Sequence, residues 1–502
     1  MKEQTIPLVG SPTTRVSSGV PVYNYDQRFI NCFPITTKNT ITGQGSVRLN
    51  KRQGYALYQT LASSGFLGNP GAYMWTGYSG GALPVFSVSN IATAKVRIYD
   101  SNGTQIGGDI SNAYYCTSLT ETKISGVAHL VAYIHDSAIP TVIRAYYFPE
   151  GGAWTEIADA DFPPNFGTPV SLIGDPIHMN GVMIAMAVDG KLYNSDLNTL
   201  SGWTATSFLE AQRKPDAGMG LQNYKDTVIG FGQDSIEFFQ YTGNATGSVL
   251  SRIPGAVINL GLPTVSLDDR RSIAIGEQIF FYGVDAKTAV MHIYRLNGYS
   301  AEIISNDAVD EYINSNASPP SSNHLVGGFK SLGLTHLMTN ISFDNGGGYF
   351  CYCIEKNVWW IFKCAESFSP AAALGDYLIG NTQRKLYQHA SSYQDNSITI
   401  EMTVQTDPLD QGTNRKKFYH AAELIADRRS TSGNTSISWS DDDYQNFSTA
   451  RTIDLSTGSR RITRLGSTQR AYNNKRAWKI TETVNAPFRG ESLKLWYTEG
   501  TT

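Results

Sequence analysis

Thr227-Val228-Ile229-Gly230-Phe231, a short turn, and then Ser235-Ile236-Glu237-Phe238-Phe239 is the stretch whose reading decides the fold. An apolar strand passes through a Gly/Asp turn into an aromatic-ended strand. The same unit recurs across residues 72–393. Val85-Phe86-Ser87-Val88 precedes Lys95-Val96-Arg97-Ile98-Tyr99, and His129-Leu130-Val131-Ala132-Tyr133-Ile134 precedes Val142-Ile143-Arg144-Ala145-Tyr146-Tyr147. Later come Gln278-Ile279-Phe280-Phe281-Tyr282 before Val290-Met291-His292-Ile293-Tyr294, and Gly348-Tyr349-Phe350-Cys351-Tyr352 before Val358-Trp359-Trp360-Ile361-Phe362. The units start roughly every forty to fifty residues, the period of a four-stranded propeller blade. Residues 66–394 are therefore expected to form a β-propeller. Six blades are favoured and seven is the other count, with Asp376–His389 completing the ring against early strands to hide the sheet edges.

Composition agrees with many short strands. The chain has 502 residues, enough for two or three domains, with 47 glycines, 11% aromatics and only 17% charged residues. A net charge of −3 argues against a chain built as a whole to grip nucleic acid. No apolar run reaches eighteen residues, so no membrane-spanning segment is expected, and Met1-Lys2-Glu3-Gln4-Thr5-Ile6-Pro7 lacks the pattern of a secretory signal. The five cysteines (Cys32, Cys116, Cys351, Cys353, Cys364) are irregularly placed and read as reduced, buried thiols. The last three lack a convincing fourth ligand for a metal, and neither metal nor cofactor is expected.

The flanks differ from the repeat. Residues 1–65 carry prolines, a Ser/Thr-rich stretch and two dense clusters, Asp26–Pro34 and Arg48–Tyr55, which suggest a segment packed on something else; Ser63-Ser64-Gly65 is the joint to the propeller. After Tyr393, runs such as Ile398–Val404, Ser436-Ile437-Ser438-Trp439 and Trp478-Lys479-Ile480-Thr481 alternate as half-buried antiparallel strands do. Residues 395–502 are expected to form a β-sandwich-like platform domain to which residues 1–65 contribute, since chain ends often meet. Inside the propeller one helix is expected after Ser305 or Asn306 as cap, with Asp307 and Asp310 favouring its dipole. The loop at residues 315–323 that follows reads as a decorated blade connection or a contact to a neighbouring subunit.

The segment from Asp226 to Gly243, carrying Gly230, Phe231, Gly232, Ser235, Ile236, Glu237, Phe238 and Thr242, resembles the packaged-DNA stabilisation proteins of short-tailed bacteriophages, also called tail hub or nozzle proteins. Gln27–Pro34, Arg52-Gln53-Gly54-Tyr55, Ile304–Asp310 and Leu465–Arg470 are similar to further segments of that family in the same order, although Gln53 stands where the family has proline. The resemblance implies a structural virion protein with no enzymatic activity. It implies a homo-oligomeric ring, six subunits by expectation, beneath the portal and its adaptor, assembled in the bacterial cytoplasm. Such a ring closes the filled capsid, retains DNA and conducts it at ejection, and a plug or needle, fibres or spikes can attach to it.

Charge distribution fits that role independently. A duct for duplex DNA should not neutralise many phosphates, because each adds affinity through counterion release. Basic residues gather instead at Arg451, Arg460, Arg461, Arg464, Arg470, Lys475, Arg476 and Lys479, with Asp454 the sole acid among them. They read as a solvated sheet face, as a subunit or adaptor interface, or as a DNA contact. Interface is favoured over DNA contact because arginine is enriched at interfaces, whereas these strands lack stacking aromatics.

Catalytic patterns are missing. Gly346-Gly347-Gly348 has no following Gly-Lys-Ser/Thr, the histidines are scattered, and no nucleophile elbow occurs. Asp441-Asp442-Asp443 lacks EF-hand spacing. Ser440-x-Asp442 with Phe447 resembles a degraded Asp-box, with Tyr444 at its usual glycine, and reads as a structural turn. Two alternatives remain open. One is a propeller glycosidase using a carboxylate pair such as Glu237 and Glu302. The other is a carbohydrate or receptor binder.

Overall fold

Each apolar run is buried on both sides, which is why it reads as continuous. Side chains alternate along a strand, so Ile279 and Phe281 of strand Gln278–Val284 enter one core while Phe280 and Tyr282 enter the next. Strand Val182–Ala187 divides likewise, Val182, Ile184 and Met186 on one side and Met183, Ala185 and Ala187 on the other. A strand sandwiched between two neighbouring sheets needs apolar residues on both faces.

The computed structural model describes all residues except 9–28, 39–44, 212–215, 245, 264–269, 286, 316–324, 344–347, 366–369, 381–383, 407, 410–412, 414, 430–432, 434, 443, 457–461, 466–474 and 501–502. Among the described residues, six four-stranded antiparallel units follow in chain order at residues 67–111, 113–156, 172–210, 218–258, 272–303 and 325–362. A seventh joins Pro370–Gly375, Tyr377–Gly380 and Lys385–His389 to the early strand Tyr55–Thr60, with Lys385 opposite Thr60 and His389 opposite Tyr55. The inner strands neighbour one another round the ring, and Pro370–Gly375 meets Leu67–Trp75 to close it.

The propeller thus has seven blades rather than the favoured six. The segment around Asp376–His389 is a whole blade whose first strand, Pro370-Ala371-Ala372-Ala373-Leu374-Gly375, lacks the β-branched and aromatic residues that mark strands. Small residues are needed there because the inner strands of blades 6 and 7 pair directly, Gly327 opposite Ala373. Gly327 has φ +149°, and a Cβ on it would lie 2.0 Å from the Ala373 carbonyl oxygen. Tyr55–Thr60, grouped by sequence with the platform, belongs to the propeller and supplies the outer strand of blade 7.

Apart from the two-stranded sheet of Gln394–Asp395 and Ile398–Thr399, the other described strands of the two chain ends build a sandwich. One sheet contains Cys32–Lys38, Gly45–Lys51, Arg489–Glu499, Lys417–Ala426 and Ile462–Arg464, and Lys2–Pro7 lies along Arg489–Glu499 with Lys2 opposite Tyr497. The facing layer runs through Arg451–Ile453, Thr435–Ser440, Ala477–Glu482 and Met402–Gln405 to Phe29–Ile30. Phe29–Ile30 pairs antiparallel with Met402–Gln405 and parallel with Val358–Phe362 of blade 6. Platform sheet and propeller sheet are therefore continuous. One core also spans both, holding Trp439, Trp478 and Leu493 together with Phe33, Phe329 and Trp360.

Arg52 closes this joint. Its Nε donates to Asn31 Oδ1 at 2.8 Å; one terminal nitrogen donates to the Gln53 carbonyl and Asp395 Oδ1, the other to the Lys363 carbonyl and Asp395 Oδ2. All five guanidinium donors are used. The guanidinium also lies 4.1 Å from the Phe362 ring centre. Burial would raise the Asp395 carboxyl, but Arg52 and the amides of Ala365 and Tyr55 outweigh it and hold it below the ordinary carboxylate range. Beside it, Glu482 receives Lys51 and Arg429 at 2.6 Å each, all three buried. The cluster Arg48–Tyr55 is packed on both domains.

The expected helix is Asp307–Ser315, and Asn306 is its cap, accepting from the Val309 amide at 3.0 Å. Its Val309 and Ile313 are buried against blade 5. The following residues 316–323 lie outside the described residues. None of the five cysteines forms a disulfide; four are buried as expected, whereas Cys364 is half-buried.

Two outcomes are expected for the joint. Arg52→Met should lose roughly 3–5 kcal/mol in denaturant unfolding because Asp395 is left buried and unpaired, whereas Arg52→Met with Asp395→Leu should lose less than the sum of the singles. His336, buried against Phe329 and accepting from Trp360 Nε1, is pushed down to about 4 by burial. The unfolded chain binds this proton first, so the contribution of His336 is full above its ordinary 6.5 and declines by about 3 kcal/mol as pH falls toward 4. His336→Asn should reduce proton uptake on unfolding near pH 5 by about one, read from the pH dependence of the unfolding free energy.

Candidate functional site

The seven inner strands surround a cavity of about 1210 Å³ on the propeller axis. Polar groups cross it. Asp175 of blade 3 accepts from Ser118 Oγ of blade 2 and from Gln222 Nε2 of blade 4 at 2.7 Å. Arg270, entering blade 5, approaches Asp175 Oδ1 and the Thr117 carbonyl, while its own carbonyl accepts from Leu325 of blade 6. Five consecutive blades are thereby stapled across the channel. Nearer the hairpins, Glu121 accepts from the amides of Thr76 and Gly77 and from Thr76 Oγ1, and Glu355 accepts from the Thr335 amide. These carboxylates are engaged in holding loops. Sequence reading missed this network; its only signal was a polar residue within each otherwise small or apolar inner strand, as in Ile173-Gly174-Asp175-Pro176.

The basic C-terminal residues separate into different environments. Arg451 and Arg464 are exposed on Arg451–Ile453 and Ile462–Arg464, edge strands of the two platform sheets that lie beside one another. Lys475 is exposed, and Lys479 is half-buried with Nζ 5.0 Å from the Phe447 ring centre. Arg476 is a correction to the interface set. It is 1% exposed, paired with both oxygens of Asp441 at 2.6 Å and surrounded by Tyr419, Trp439 and Trp478. Aromatics from three separate strands make it part of the core. Arg460, Arg461 and Arg470 lie outside the described residues, as do Asp443 and Gly346-Gly347.

The family-like motif builds blade 4. Asp226 is exposed at the hairpin into strand Thr227–Gly232, and Gly230 opposes Glu237 while Phe231 opposes Ile236. Gly232 bonds to the Ser235 carbonyl across the next turn, and a Cβ on Gly232 would sit 2.4 Å from the Asp216 carboxylate that receives the Asp234 amide and Ser235 hydroxyl. Phe238 is buried; Thr242 and Gly243 both reach the Val249 carbonyl. Glu237 is buried against Arg252 at 2.6 Å, and Glu302 pairs with Arg295 at 2.7 Å. Each carboxylate is ion-paired within its own blade.

The Asp-box-like turn is structural. Asp442 accepts from Ser440 Oγ and from the amide and side chain of Asn446, and those Asn446 bonds hold its carboxyl below the ordinary range. Tyr444 takes φ +69° where glycine is usual, and its hydroxyl donates to the Thr406 carbonyl at 2.8 Å. Among the described residues no cluster of three metal-ligating side chains occurs.

Stability measurements distinguish these environments. Arg476→Met should destabilise by roughly 3–5 kcal/mol, because Asp441 loses its buried partner. Arg451→Glu and Arg464→Glu should each change the unfolding free energy by less than about 0.5 kcal/mol, as exposed charges do.

Residues 118–323, from the inner strand of blade 2 to the entry of blade 6, match the family model described as Bacteriophage P22 Gp10, beta-propeller. No curated protein matches. Among solved structures, the computationally designed Ika8 protein is 9% identical with a TM-score of 0.37, covering 67% of this chain and 100% of its own. An exo-beta-1,3-galactanase from Phanerochaete chrysosporium, with galactose, is 10% identical with a TM-score of 0.30, covering 75% and 95%. Similarities at that level carry no argument about function. Over blades 2 to 5 the chain is therefore similar to the phage packaged-DNA stabilisation family, which supports a structural phage tail protein.

Proposed function

We propose that this chain is the hub subunit of a short phage tail: a closed ring beneath the portal and adaptor that seals the filled capsid and later conducts the genome. The match of blades 2 to 5 to the packaged-DNA stabilisation family carries this reading. The continuous sheet from blade 6 into the platform supports it mechanically, because a part that resists internal pressure cannot hinge between its domains. The protein acts without catalysis. Of its channel carboxylates, Glu121 and Glu355 hold loops and Asp175 holds neighbouring blades, and its other candidate pair is neutralised within single blades.

The propeller axis itself is not the duct in this reading. Hydrogen bonds cross it between blades 2 and 5, so DNA would run through the lumen formed by several copies. A ring of identical subunits meets head to tail and closes by cyclic symmetry. With a net charge of −3, a neutral to acidic lumen lets the duplex slide, since few phosphates are neutralised. Retention is then mechanical closure with partners, including the adaptor and any plug or needle, and not adhesion to DNA.

Exposed Arg451 and Arg464, on adjoining sheet edges, are the described part of the proposed subunit or adaptor contact. Removing one partner from a desolvated interfacial charge pair costs about 2–5 kcal/mol. The double variant Arg451→Glu with Arg464→Glu should fold normally yet yield capsids that fill and then lose DNA, measured as nuclease-sensitive genome after packaging. Wild-type incorporation and retention would assign these arginines to a solvated face.

A further inference from the structure

The mouth of the propeller cavity, on the side of the hairpins that end the inner strands, contains polar atoms the fold does not use. Thr122 Oγ1 of blade 2, His178 Nε2 of blade 3 and Gln278 Oε1 of blade 5 are buried without a hydrogen-bond partner among the described residues, and all three residues line this cavity. Thr122 is only 4% exposed. Buried polar groups are ordinarily satisfied, so three orphans converging on one space mark a place that accepts an external hydrogen-bonding group.

The chemistry of the site narrows the class of ligand. A hydroxyl can donate or accept, an amide oxygen accepts, and burial favours the neutral His178 imidazole, whose unpartnered Nε2 donates or accepts according to the tautomer. The charged residues round the cavity nearly cancel, four carboxylates against three cations. Glu121, Asp175 and Glu355 are already engaged with neighbouring blades or loops. A phosphate or polyanion would find no surplus positive charge. Tyr73, Met74 and Ile275 add apolar wall beside the orphaned groups. Mixed donors and acceptors beside an aromatic and aliphatic wall, without net charge, match a neutral sugar ring, which has hydroxyls at its edge and C–H groups on its faces.

We infer that the mouth of the propeller channel is a binding site for a neutral hexopyranose unit, held by Thr122, His178 and Gln278. At about 1210 Å³ the cavity exceeds the usual ligand pocket of roughly 300–1,000 Å³, so a terminal or internal unit of a longer glycan can enter. The site binds and does not cleave: hydrolysis needs a pair of available carboxylates, and of the four round the cavity Glu121, Asp175 and Glu355 are occupied in structural bonds, which leaves Glu277 without a second. This goes beyond the hub reading and stands or falls separately from it.

The test is saturation-transfer NMR on the full chain with the methyl glycosides of glucose, galactose, mannose and N-acetylglucosamine, with inorganic pyrophosphate as the anionic probe. At least one glycoside should show transfer while pyrophosphate does not bind. Thr122→Val and Gln278→Leu should each weaken that glycoside about tenfold, the loss expected for one hydrogen bond of roughly 1.4 kcal/mol. Both variants should keep or raise the thermal midpoint, because each replaces an unpartnered buried polar atom by an apolar one of similar shape. The inference is overturned if no glycoside shows transfer, if the signal is unchanged in both variants, or if pyrophosphate binds in their place.

Discussion

Arg52 is the residue on which the arrangement of this molecule depends. A guanidinium taken wholly out of water is tolerated only when every donor is satisfied and the charge is matched. Its partners come from the N-terminal segment (Asn31 and Gln53), the end of blade 6 (Lys363) and the start of the C-terminal half (Asp395). Displacing any of these would break bonds to a buried charge. The planar fork of arginine fixes directions as well as distances, which lysine cannot do. Domain orientation is thereby coupled to the cost of exposing or orphaning one ion pair.

That constraint acts together with topology. Tyr55–Thr60 begins three residues after Arg52 and supplies the outer strand of blade 7, while Phe29–Ile30 bridges blade 6 to the platform. The same N-terminal segment therefore closes the ring and binds it to the sandwich. On the opposite side of the ring, Asp175 and Arg270 hold blades 2 to 6 across the axis. Neither end of a blade series is left as a free inner edge, a feature suited to a part loaded by packaged DNA.

Much of this was legible from residues alone where burial is two-sided. Runs such as Val182–Met186 and Gln278–Tyr282 announce blades because neighbouring sheets demand apolar residues on both faces. Pro370–Gly375 escaped notice for the opposite reason: close strand approach selects Ala and Gly, which carry no strand signature. The dense cluster at residues 48–55 was recognisable as packed, but which of its cations was buried depended on carboxylates more than 300 residues away. Arg451 and Arg476 look alike in sequence. Only the meeting of Tyr419, Trp439 and Trp478 turns Arg476 into a core residue. The unpartnered atoms at the channel mouth were invisible, since they become neighbours only when blades 2, 3 and 5 close round one axis.

In the proposed hub, propeller and platform move as one and several copies enclose the DNA. An electron cryomicroscopy map of the tail in filled particles tests it most directly. The predicted result is a closed ring of this chain beneath the portal and adaptor, with platform and propeller in the orientation set by Arg52 and duplex density on the ring axis. Copies placed only on peripheral fibres, or a propeller rotated away from its platform, would contradict it.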